Sequence, residues 1–349
     1  MDLISAYANG VSELTRFSRS LEAAPLIVDV IANPHAGFFK RQATVQKQIK
    51  ELERRLSELR SRFPRREVEI NTHFTERPGH ARRIAEQVLE KEEQSRSGME
   101  HLLIGCGGDG TSNEICSALV EVESSVLDRL KLLRLPLGTG NDAADATTFS
   151  QAYDLILGPQ RTVKTGALHV TTRSGASLYS FNIGSVGLDA YIVGLTNRFK
   201  RAIPGQAYKV MVDLGSLLYE QRVKPGRMDI SLWSDETETR VEGFVPSMVV
   251  VGISGTRTYG GHMPVLPGPQ NVCLVERMGV MKKVRSKKLF FQGLHGELPE
   301  VRFFTADHIE IRYQGAIPLQ LDGELTWLRS ADFPLSFRVL TPRINVLRA

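Results

Sequence analysis

Hydrophobic residues in the first half of the chain alternate between short apolar runs and longer amphipathic stretches. Residues 26–31 form an apolar run that ends at an Asn-Pro pair, which is typical of a buried strand. Apolar residues then recur every three or four positions over residues 45–59, with charged residues between them, which predicts a helix with one buried face. The same succession of strand and helix continues over residues 68–135. This rhythm predicts an α/β domain with a mostly parallel sheet covered by helices.

The pattern changes after about residue 160. Short runs rich in Val, Ile, Thr and Phe are separated by Gly, Pro, Asn and Asp, and only Ala207–Tyr219 predicts a helix. This half therefore predicts a β-rich domain of the sandwich type. We expect an N-terminal extension, a nucleotide-binding domain, a lipid-binding domain and a last strand that returns to the first domain, with bounds at 1–25, 26–160, 161–335 and 336–349.

Length and composition are those of a globular protein, with 349 residues, 42% apolar and 24% charged. The net charge of +5 is too small for a dedicated nucleic-acid-binding protein and fits an enzyme with an anionic substrate or contact with an anionic membrane. Three cysteines without a CxxC pair exclude a disulfide framework and a zinc ligand set. We find no signal peptide, and the longest apolar stretch, residues 245–253, is too short for a membrane span. These features predict a cytoplasmic protein that can associate peripherally with a membrane.

Three glycine-containing segments follow the ends of predicted strands: residues 33–37 (NPHAG), 107–111 (GGDGT) and 138–142 (GTGND). Glycines let backbone N–H groups approach phosphate oxygens, and the N-terminus of the next helix favours negative charge. Ligands of open α/β sheets bind at such junctions. Three junctions together favour a phosphate ligand over glycines that serve packing alone. We expect Thr111 or Ser112 to cap the helix that follows the second segment.

The identity of that ligand depends on the carboxylates in these loops. Residues 105–110 match GxGxxG and residues 138–143 match GxGxxA, but the acid expected at the end of the next strand is missing. Asp109 and Asp142 would repel a pyrophosphate unless a divalent cation lay between them. No Walker sequence is present. The loops therefore predict a Mg-nucleotide and phosphoryl transfer outside the P-loop class.

Seven segments occur in an order and spacing that are far more specific than GGDGT alone, which phosphofructokinases and NAD kinases share. They are NPHAG (33–37), Thr75 before PGHA (78–81), GGDGTSNE (107–114), PLGTGND (136–142), NIGSVGLDA (182–190), TYGGHM (258–263) and LDGE (321–324). This set resembles the diacylglycerol kinase catalytic family, which includes sphingosine kinases and bacterial lipid kinases, over roughly residues 26–345. The resemblance implies ATP and Mg²⁺ as cofactors, a second domain that admits lipid, and an active site in the interdomain cleft.

The resemblance also implies roles for single residues. Nucleotide contacts are expected at Asn33, Thr75, Gly107, Gly108, Asp109, Gly110, Thr111, Asn113, Glu114, Thr139, Gly140, Asn141 and Asp142. Asp322 and Glu324 match the segment where the family places a catalytic carboxylate. On one strand they would face the same side, so that one takes the hydroxyl proton while the other, with Asp109, serves the nucleotide-bound Mg²⁺. Asp109 is the rival base, and a hairpin turn is the structural alternative for Asp-Gly-Glu.

Two further features distinguish this chain. Five cations within residues 282–288, followed by Leu-Phe-Phe, predict either a membrane-docking segment or a solvated charge run ahead of a buried strand. Lys164 and Asn271 stand where bacterial members of the family carry acids of a structural Mg²⁺ site. We expect that ion to be absent, with the Lys164 ammonium taking part of its electrostatic role. His295 is expected to be structural.

The sequence thus predicts an ATP- and Mg-dependent lipid kinase whose acceptor is a diacylglycerol- or sphingosine-like hydroxyl lipid presented by a membrane. An NAD kinase-like enzyme is the alternative among enzymes, and an inactive regulator that binds nucleotide or lipid is the alternative from another class. No nucleic-acid partner is expected, a homodimer stays open, and pocket shape must decide which lipid is used.

Overall fold

Helices and strands alternate in the first part of the chain, and strands dominate the rest. The computed structural model describes residues 2–19, 26–95, 99–138, 141, 143–158, 161–199, 207–259 and 263–348. The helices are α1 (Leu3–Thr15), α2 (Gln42–Arg62), α3 (His80–Ser95), α4 (Asp109–Val120), α5 (Ser124–Leu127), α6 (Phe149–Leu157), α7 (Leu188–Phe199), α8 (Ala207–Arg222) and α9 (Val280–Gln292). No helix in these ranges is long and apolar enough to cross a membrane.

The strands form three six-stranded sheets and one small hairpin. They are β1 (Leu26–Ala32), β2 (Val68–Phe74), β3 (Glu100–Cys106), β4 (Leu130–Arg134), β5 (Arg161–Thr165), β6 (Leu168–Thr172), β7 (Ser177–Ser180), β8 (Ile183–Gly187), β9 (Met228–Ser234), β10 (Thr237–Phe244), β11 (Pro246–Gly252), β12 (Arg257–Tyr259), β13 (Met263–Leu266), β14 (Val272–Glu276), β15 (Val301–Phe304), β16 (His308–Tyr313), β17 (Ile317–Leu321), β18 (Glu324–Leu328), β19 (Leu335–Val339) and β20 (Ile344–Arg348). The chain divides into a first unit, residues 1–165 with 342–349, and a second unit, residues 166–341.

The first unit is built on sheet A, whose strand order is β2-β1-β3-β4-β20-β5. Strands β1 to β4 run parallel, and β20 pairs parallel with β4 and antiparallel with β5. The predicted α/β domain with a mostly parallel sheet is confirmed. Because the carboxyl ends of parallel strands meet at one edge, the loops after β1, β3 and β4 lie close together.

Helix α1 is part of the core of the first unit. Its residues Tyr7, Val11 and Leu14 are completely buried, and the Tyr7 ring lies 5.0 Å from the ring of Phe38. The Asp2 side chain caps the helix by accepting from the Ser5 N–H. The sequence analysis set residues 1–25 apart as an extension, yet α1, which lies within that range, packs into the core of the first unit.

A polar cluster is buried at the middle of sheet A. The Asp29 carboxylate on β1 accepts hydrogen bonds from His73 Nε2 at 2.6 Å and from His101 Nε2 at 2.8 Å. Burial alone would raise the pKa of Asp29, but the two histidine contacts outweigh it and lower the pKa to about 2. The cluster therefore keeps an ionised carboxylate in the core, where two histidine hydrogen bonds stabilise it.

The second unit is a β-sandwich. Sheet B has the order β10-β9-β16-β19-β6-β7, and sheet C has the order β15-β14-β11-β8-β17-β18. Their facing side chains share one core, with Val170 and Ile230 from sheet B and Val249 and Leu319 from sheet C. The predicted β-rich, sandwich-like domain is confirmed.

Three helices, α7, α8 and α9, form what we call the helical layer of the second unit. Helix α7 packs against β8, β11, β17 and β18, α8 contacts both α7 and α9, and α9 packs against β13. The expectation that residues 207–219 form the only helix of this half was wrong. The pattern of α9 escaped notice because its buried positions include Lys283 and Ser286, which a hydrophobic pattern does not count.

Candidate functional site

The N-terminus of α4 lies directly after β3 and has no side-chain cap. Gly108 is the capping residue, in an extended conformation, and no side chain accepts a hydrogen bond there. The expected cap by Thr111 or Ser112 was wrong, because α4 already begins at Asp109 and both residues lie inside the helix. The Thr111 Oγ1 instead accepts a hydrogen bond from Asn33 Nδ2 at 2.9 Å. The first-turn N–H groups of a helix have no partner within the helix and carry its positive dipole end. This position is therefore suited to a phosphate group.

Packing explains two glycines of the loop after β3 but not the third. A Cβ on Gly107 would lie 2.4 Å from the Thr111 Cβ, and one on Gly108 would lie 3.2 Å from the Gly138 Cα. A Cβ on Gly110 would meet nothing within 4 Å. Gly110 is exposed in the first turn of α4, so the space beside it is open to a ligand.

The loop after β4 is held against α4 by Asp109. Its carboxylate accepts hydrogen bonds from the Asn141 N–H at 3.1 Å and the Ala143 N–H at 3.0 Å. Asn141 has a positive φ of 61° and its Oδ1 accepts from the Gly138 N–H at 2.6 Å. The structure thus brings Asn33, Thr111, Asp109 and Asn141 together. Thr139, Gly140 and Asp142 lie outside the described residues.

A buried ion pair brackets the same loop. Arg134, at the end of β4, donates from Nη2 to Asp145 Oδ1 at 2.7 Å and from its backbone N–H to Asp145 Oδ2 at 2.8 Å. Both side chains are almost completely buried, so each neutralises a charge that water cannot reach. Sequence reasoning missed this pair. Asp145, an acid three positions after Asp142, was the only signal in the sequence for it.

The remaining predicted nucleotide residues have structural partners. The Glu114 carboxylate accepts from the Gly79 N–H at 2.8 Å and the Ala81 N–H at 3.0 Å, and so caps α3. Thr75 is buried, and Asn113 Oδ1 accepts a long 3.4 Å hydrogen bond from Ser117. Glu114 therefore fixes α3 to α4 beside the open N-terminus.

The Asp-Gly-Glu segment of the second unit is a hairpin turn. Asp322 and Gly323 connect β17 to β18 with φ values of 49° and 90°, and Glu324 is the first residue of β18. The expectation that Asp322 and Glu324 share one face of a strand was wrong, because positive φ values at both turn residues reverse the chain between them.

The two carboxylates of this turn have different surroundings. The Asp322 carboxylate accepts four hydrogen bonds, from the Ser180 Oγ at 2.7 Å and from the backbone N–H groups of Phe181 at 2.6 Å, Asn182 at 3.0 Å and Ile183 at 3.1 Å. Glu324 is exposed on the edge strand of sheet C. Asp322 is thus an anchor for the segment before β8, and Glu324 is the carboxylate that solvent or substrate can reach.

An apolar cavity of about 80 Å³ lies between α9, α7 and sheet C. Its walls include three methionines and two phenylalanines: Met248, Met263, Met278, Phe290 and Phe291. The buried Asp189 also lines it, and Asp189 Oδ2 accepts from Ser185 Oγ at 2.5 Å and Gln320 Nε2 at 3.2 Å. Gln320 Oε1 in turn accepts from the Gly323 N–H at 2.9 Å. The cavity is therefore connected to the Asp-Gly-Glu turn by hydrogen bonds that sequence reasoning did not foresee.

Lys164 and Asn271, the two residues expected in place of acids of a structural Mg²⁺ site, belong to different units. Lys164 is on β5 of the first unit, half exposed, with its Nζ 3.6 Å from Asp128 Oδ1. The electrostatic role expected of Lys164 in place of the ion stays a prediction. Asn271 is buried and fixes two strands by accepting from the Ala306 N–H at 3.0 Å and donating to its carbonyl at 2.9 Å. Within the described ranges, no group of three or more His, Cys, Asp or Glu residues could hold a metal ion.

His295 is a core residue, as the sequence analysis expected. It is completely buried, faces the Val265 carbonyl oxygen at 3.1 Å and stacks on the Phe290 ring at 4.6 Å. Burial lowers the pKa of His295. Cys106 is also buried, which raises the pKa of its thiol. Neither group is suited to proton transfer or nucleophilic attack.

Comparison with known proteins assigns each unit to a characterised domain type. Residues 28–167 match the model of the diacylglycerol kinase catalytic domain, and residues 182–348 match the YegS C-terminal NAD kinase beta sandwich-like domain. The chain is 28% identical over 300 residues to "Putative lipid kinase YtlR" of Bacillus subtilis (strain 168), covering 79% of this chain and 91% of that protein.

Two further comparisons agree with these matches. The chain is 29% identical over 204 residues to "Probable lipid kinase YegS" of Salmonella arizonae, an alignment of 57% of this chain and 60% of that protein. A solved diacylglycerol kinase structure from Bacillus anthracis str. Sterne has the same fold, with a TM-score of 0.55, 16% identity, and coverage of 93% of this chain and 97% of that one.

Proposed function

The chain belongs to the diacylglycerol kinase catalytic family and is a lipid kinase; we propose that it transfers the γ-phosphoryl group of Mg-ATP to a lipid hydroxyl. The observation that carries this proposal is the uncapped N-terminus of α4, with open space beside Gly110. Phosphoryl transfer depends on positioning and on stabilising charge, which backbone N–H groups at a helix end can supply.

The first unit would bind the nucleotide. The N–H groups of the first turn of α4 would donate to phosphate oxygens, and Asn33 and Asn141 keep the flanking loops in place. Mg²⁺ bound with ATP supplies neutralisation of the phosphate charge. We assign Asp109 to that ion in the first unit, since its carboxylate stands at the start of α4 and is fixed there by two backbone hydrogen bonds.

The second unit would bind the acceptor and remove its proton. Glu324 is our choice for the general base, because it is exposed while Asp322 is committed to four structural hydrogen bonds. Asp322 is then a positioning residue that fixes the turn on which Glu324 stands. A carboxylate of this kind accelerates proton transfer from a hydroxyl by about 10²–10⁴-fold.

The apolar cavity gives the acceptor its chemical class. The methionine and phenylalanine walls suit part of an aliphatic chain, because methionine adapts to irregular shapes. Asp189 at the cavity would contact a polar group of the same molecule. These features support a diacylglycerol- or sphingosine-like lipid as the acceptor. An enzyme that phosphorylates NAD would have no use for such an apolar pocket.

An ATP-consumption assay with diacylglycerol, sphingosine, ceramide and NAD in separate reactions tests the proposal. We expect Mg-dependent turnover with at least one lipid and none with NAD. Turnover with NAD alone would establish the other kinase class. ATP binding by calorimetry with no turnover on any acceptor would identify a regulator and contradict the assignment of Glu324.

A further inference from the structure

Exposed large apolar side chains are concentrated on one part of the second unit. In the described ranges seven such residues are exposed, and five of them stand on the helical layer or directly beside it. These five are between 46% and 66% exposed: Leu217 on α8, Met281 and Val284 on α9, Leu294 just after α9, and Trp327 on β18. Apolar side chains gathered on one surface mark a site of interaction with a protein or a membrane.

Helix α9 presents both apolar and basic side chains to solvent. Lys283 is buried and points towards the cavity, where it lines the wall. Met281, Val284, Arg285 and Lys288 are three or four positions apart, so they share the opposite face. The exposed face of α9 therefore consists of two apolar residues and two cations.

The charges on the exposed face of α9 are all positive. Helix α9 contains five Lys or Arg residues and no Asp or Glu. Two of its lysines pair with acids of neighbouring segments, Lys283 with Glu220 and Lys282 with Glu300. Arg285 and Lys288 lie on the exposed face. This surface is complementary to an anionic partner.

The opposite end of the layer has the same character. A groove between α7, α8 and β18 is lined by Trp327 together with Leu195, Leu218 and two exposed arginines, Arg198 and Arg222. Tryptophan is enriched at membrane–water interfaces, where its ring reaches the acyl boundary while its N–H stays hydrated. Arginines beside it can contact lipid phosphates.

We propose that the helical layer is a docking surface for an anionic lipid bilayer. Apolar side chains insert at the acyl boundary, and Arg285 and Lys288 stay at the level of the head groups. The cavity of the second unit lies directly beneath α9, so docking would bring membrane lipid next to that cavity. Only this last consequence rests on the proposed function, because binding to a bilayer needs no catalysis.

Co-sedimentation with vesicles tests the docking surface. One arm uses vesicles of phosphatidylglycerol with phosphatidylcholine, and the other uses phosphatidylcholine alone. Each cation near an anionic surface strengthens binding about fivefold, so the double variant Arg285→Glu and Lys288→Glu should bind anionic vesicles at least about tenfold more weakly. The double variant Met281→Asp and Val284→Asp should lose vesicle binding to a similar extent. All four residues are exposed, so the fold should tolerate these changes.

A matched control separates the docking surface from exposed apolar residues in general. Leu178→Asp changes a residue of the same unit on sheet B that is 37% exposed. It should bind anionic vesicles as the unaltered protein does. Trp327 adds a second readout: in a Trp233→Phe background it is the only tryptophan, and its emission should shift to shorter wavelength with anionic vesicles.

Several results would overturn the proposal. They are vesicle binding by the α9 variants equal to that of the unaltered protein, an equal loss in the Leu178→Asp control, or equal binding to neutral vesicles. Failure of the proposed function is seen separately, in assays with a dispersed short-chain acceptor. The α9 variants should retain turnover there, and vesicle binding without turnover on any lipid would refute the kinase proposal while leaving the docking surface intact.

Discussion

Replacing Gly110 by alanine should separate the stability of the fold from nucleotide binding. The added Cβ meets nothing within 4 Å, and the residue lies in the first turn of α4 with an ordinary φ. Alanine is favoured over glycine in a helix by roughly 0.5–1 kcal/mol. For a domain of this size we expect the melting temperature of the first unit to rise by about 1–4 °C.

The same methyl group would stand in the space that we assign to phosphate. A hydrogen bond to a charged group contributes about 1.5–3 kcal/mol, so the loss of one such bond weakens Mg-ATP binding about 10- to 100-fold. Calorimetric titration with Mg-ATP measures this change directly. Gly108→Val would be a poorer test, because its side chain would collide with the backbone of Gly138 whether or not a nucleotide binds there.

Gly279→Ala is the matched control for this substitution. Gly279 stands at the N-terminus of α9, and a Cβ there also meets nothing within 4 Å. It should leave ATP affinity unchanged. Unchanged ATP affinity in Gly110→Ala, together with its higher melting temperature, would refute the placement of phosphate at α4.

The other predictions concern carboxylates with contrasting surroundings. Glu324→Gln should lower turnover by about 10²–10⁴-fold and leave the free energy of unfolding within about 0.5 kcal/mol of that of the unaltered protein. Asp322→Asn should lower the free energy of unfolding in urea by about 2 kcal/mol or more, because its amide N–H₂ faces backbone N–H groups. Asp145→Asn should cost about 3–5 kcal/mol, since it leaves Arg134 buried without its counter-charge. The lowered pKa of Asp29, about 2 against 3.8, predicts stability that is present above pH 4 and lost between about pH 4 and 2, by roughly 2 kcal/mol. The Asp29→Asn variant should not show this loss of stability between about pH 4 and 2. An equal loss in the variant would contradict the prediction.

The parts of the fold that repeat locally were predictable from sequence. Strand β1 and helix α2 follow from apolar periods that packing preserves. The glycines after β3 mark the junction with α4, where Gly107 and Gly108 leave little or no room for a Cβ. The resemblance to a family then identified the segment at Asp322.

Contacts between distant residues were not predictable in the same way. The partners of Asp322 begin at Ser180, more than a hundred positions earlier, and no local pattern reports such a pairing. The ion pair of Arg134 with Asp145 places two charged residues in a core, against the usual preference for exposure. Helix α9 was missed for the same reason, since its buried face includes Lys283, whose charge is compensated by Glu220 from α8.

Strand β20 has a consequence for the synthesis of the protein. It lies between β4 and β5, so sheet A cannot be completed until residues 344–348, which follow the second unit in the sequence, are made. The second unit is in effect an insertion that is synthesised in full while the first unit still lacks an internal strand. Removing residues 342–349 should therefore unfold the first unit and leave the second unit folded. During translation the sandwich can fold first, and sheet A, which carries the loops after β3 and β4, is completed only after the whole second unit has been made.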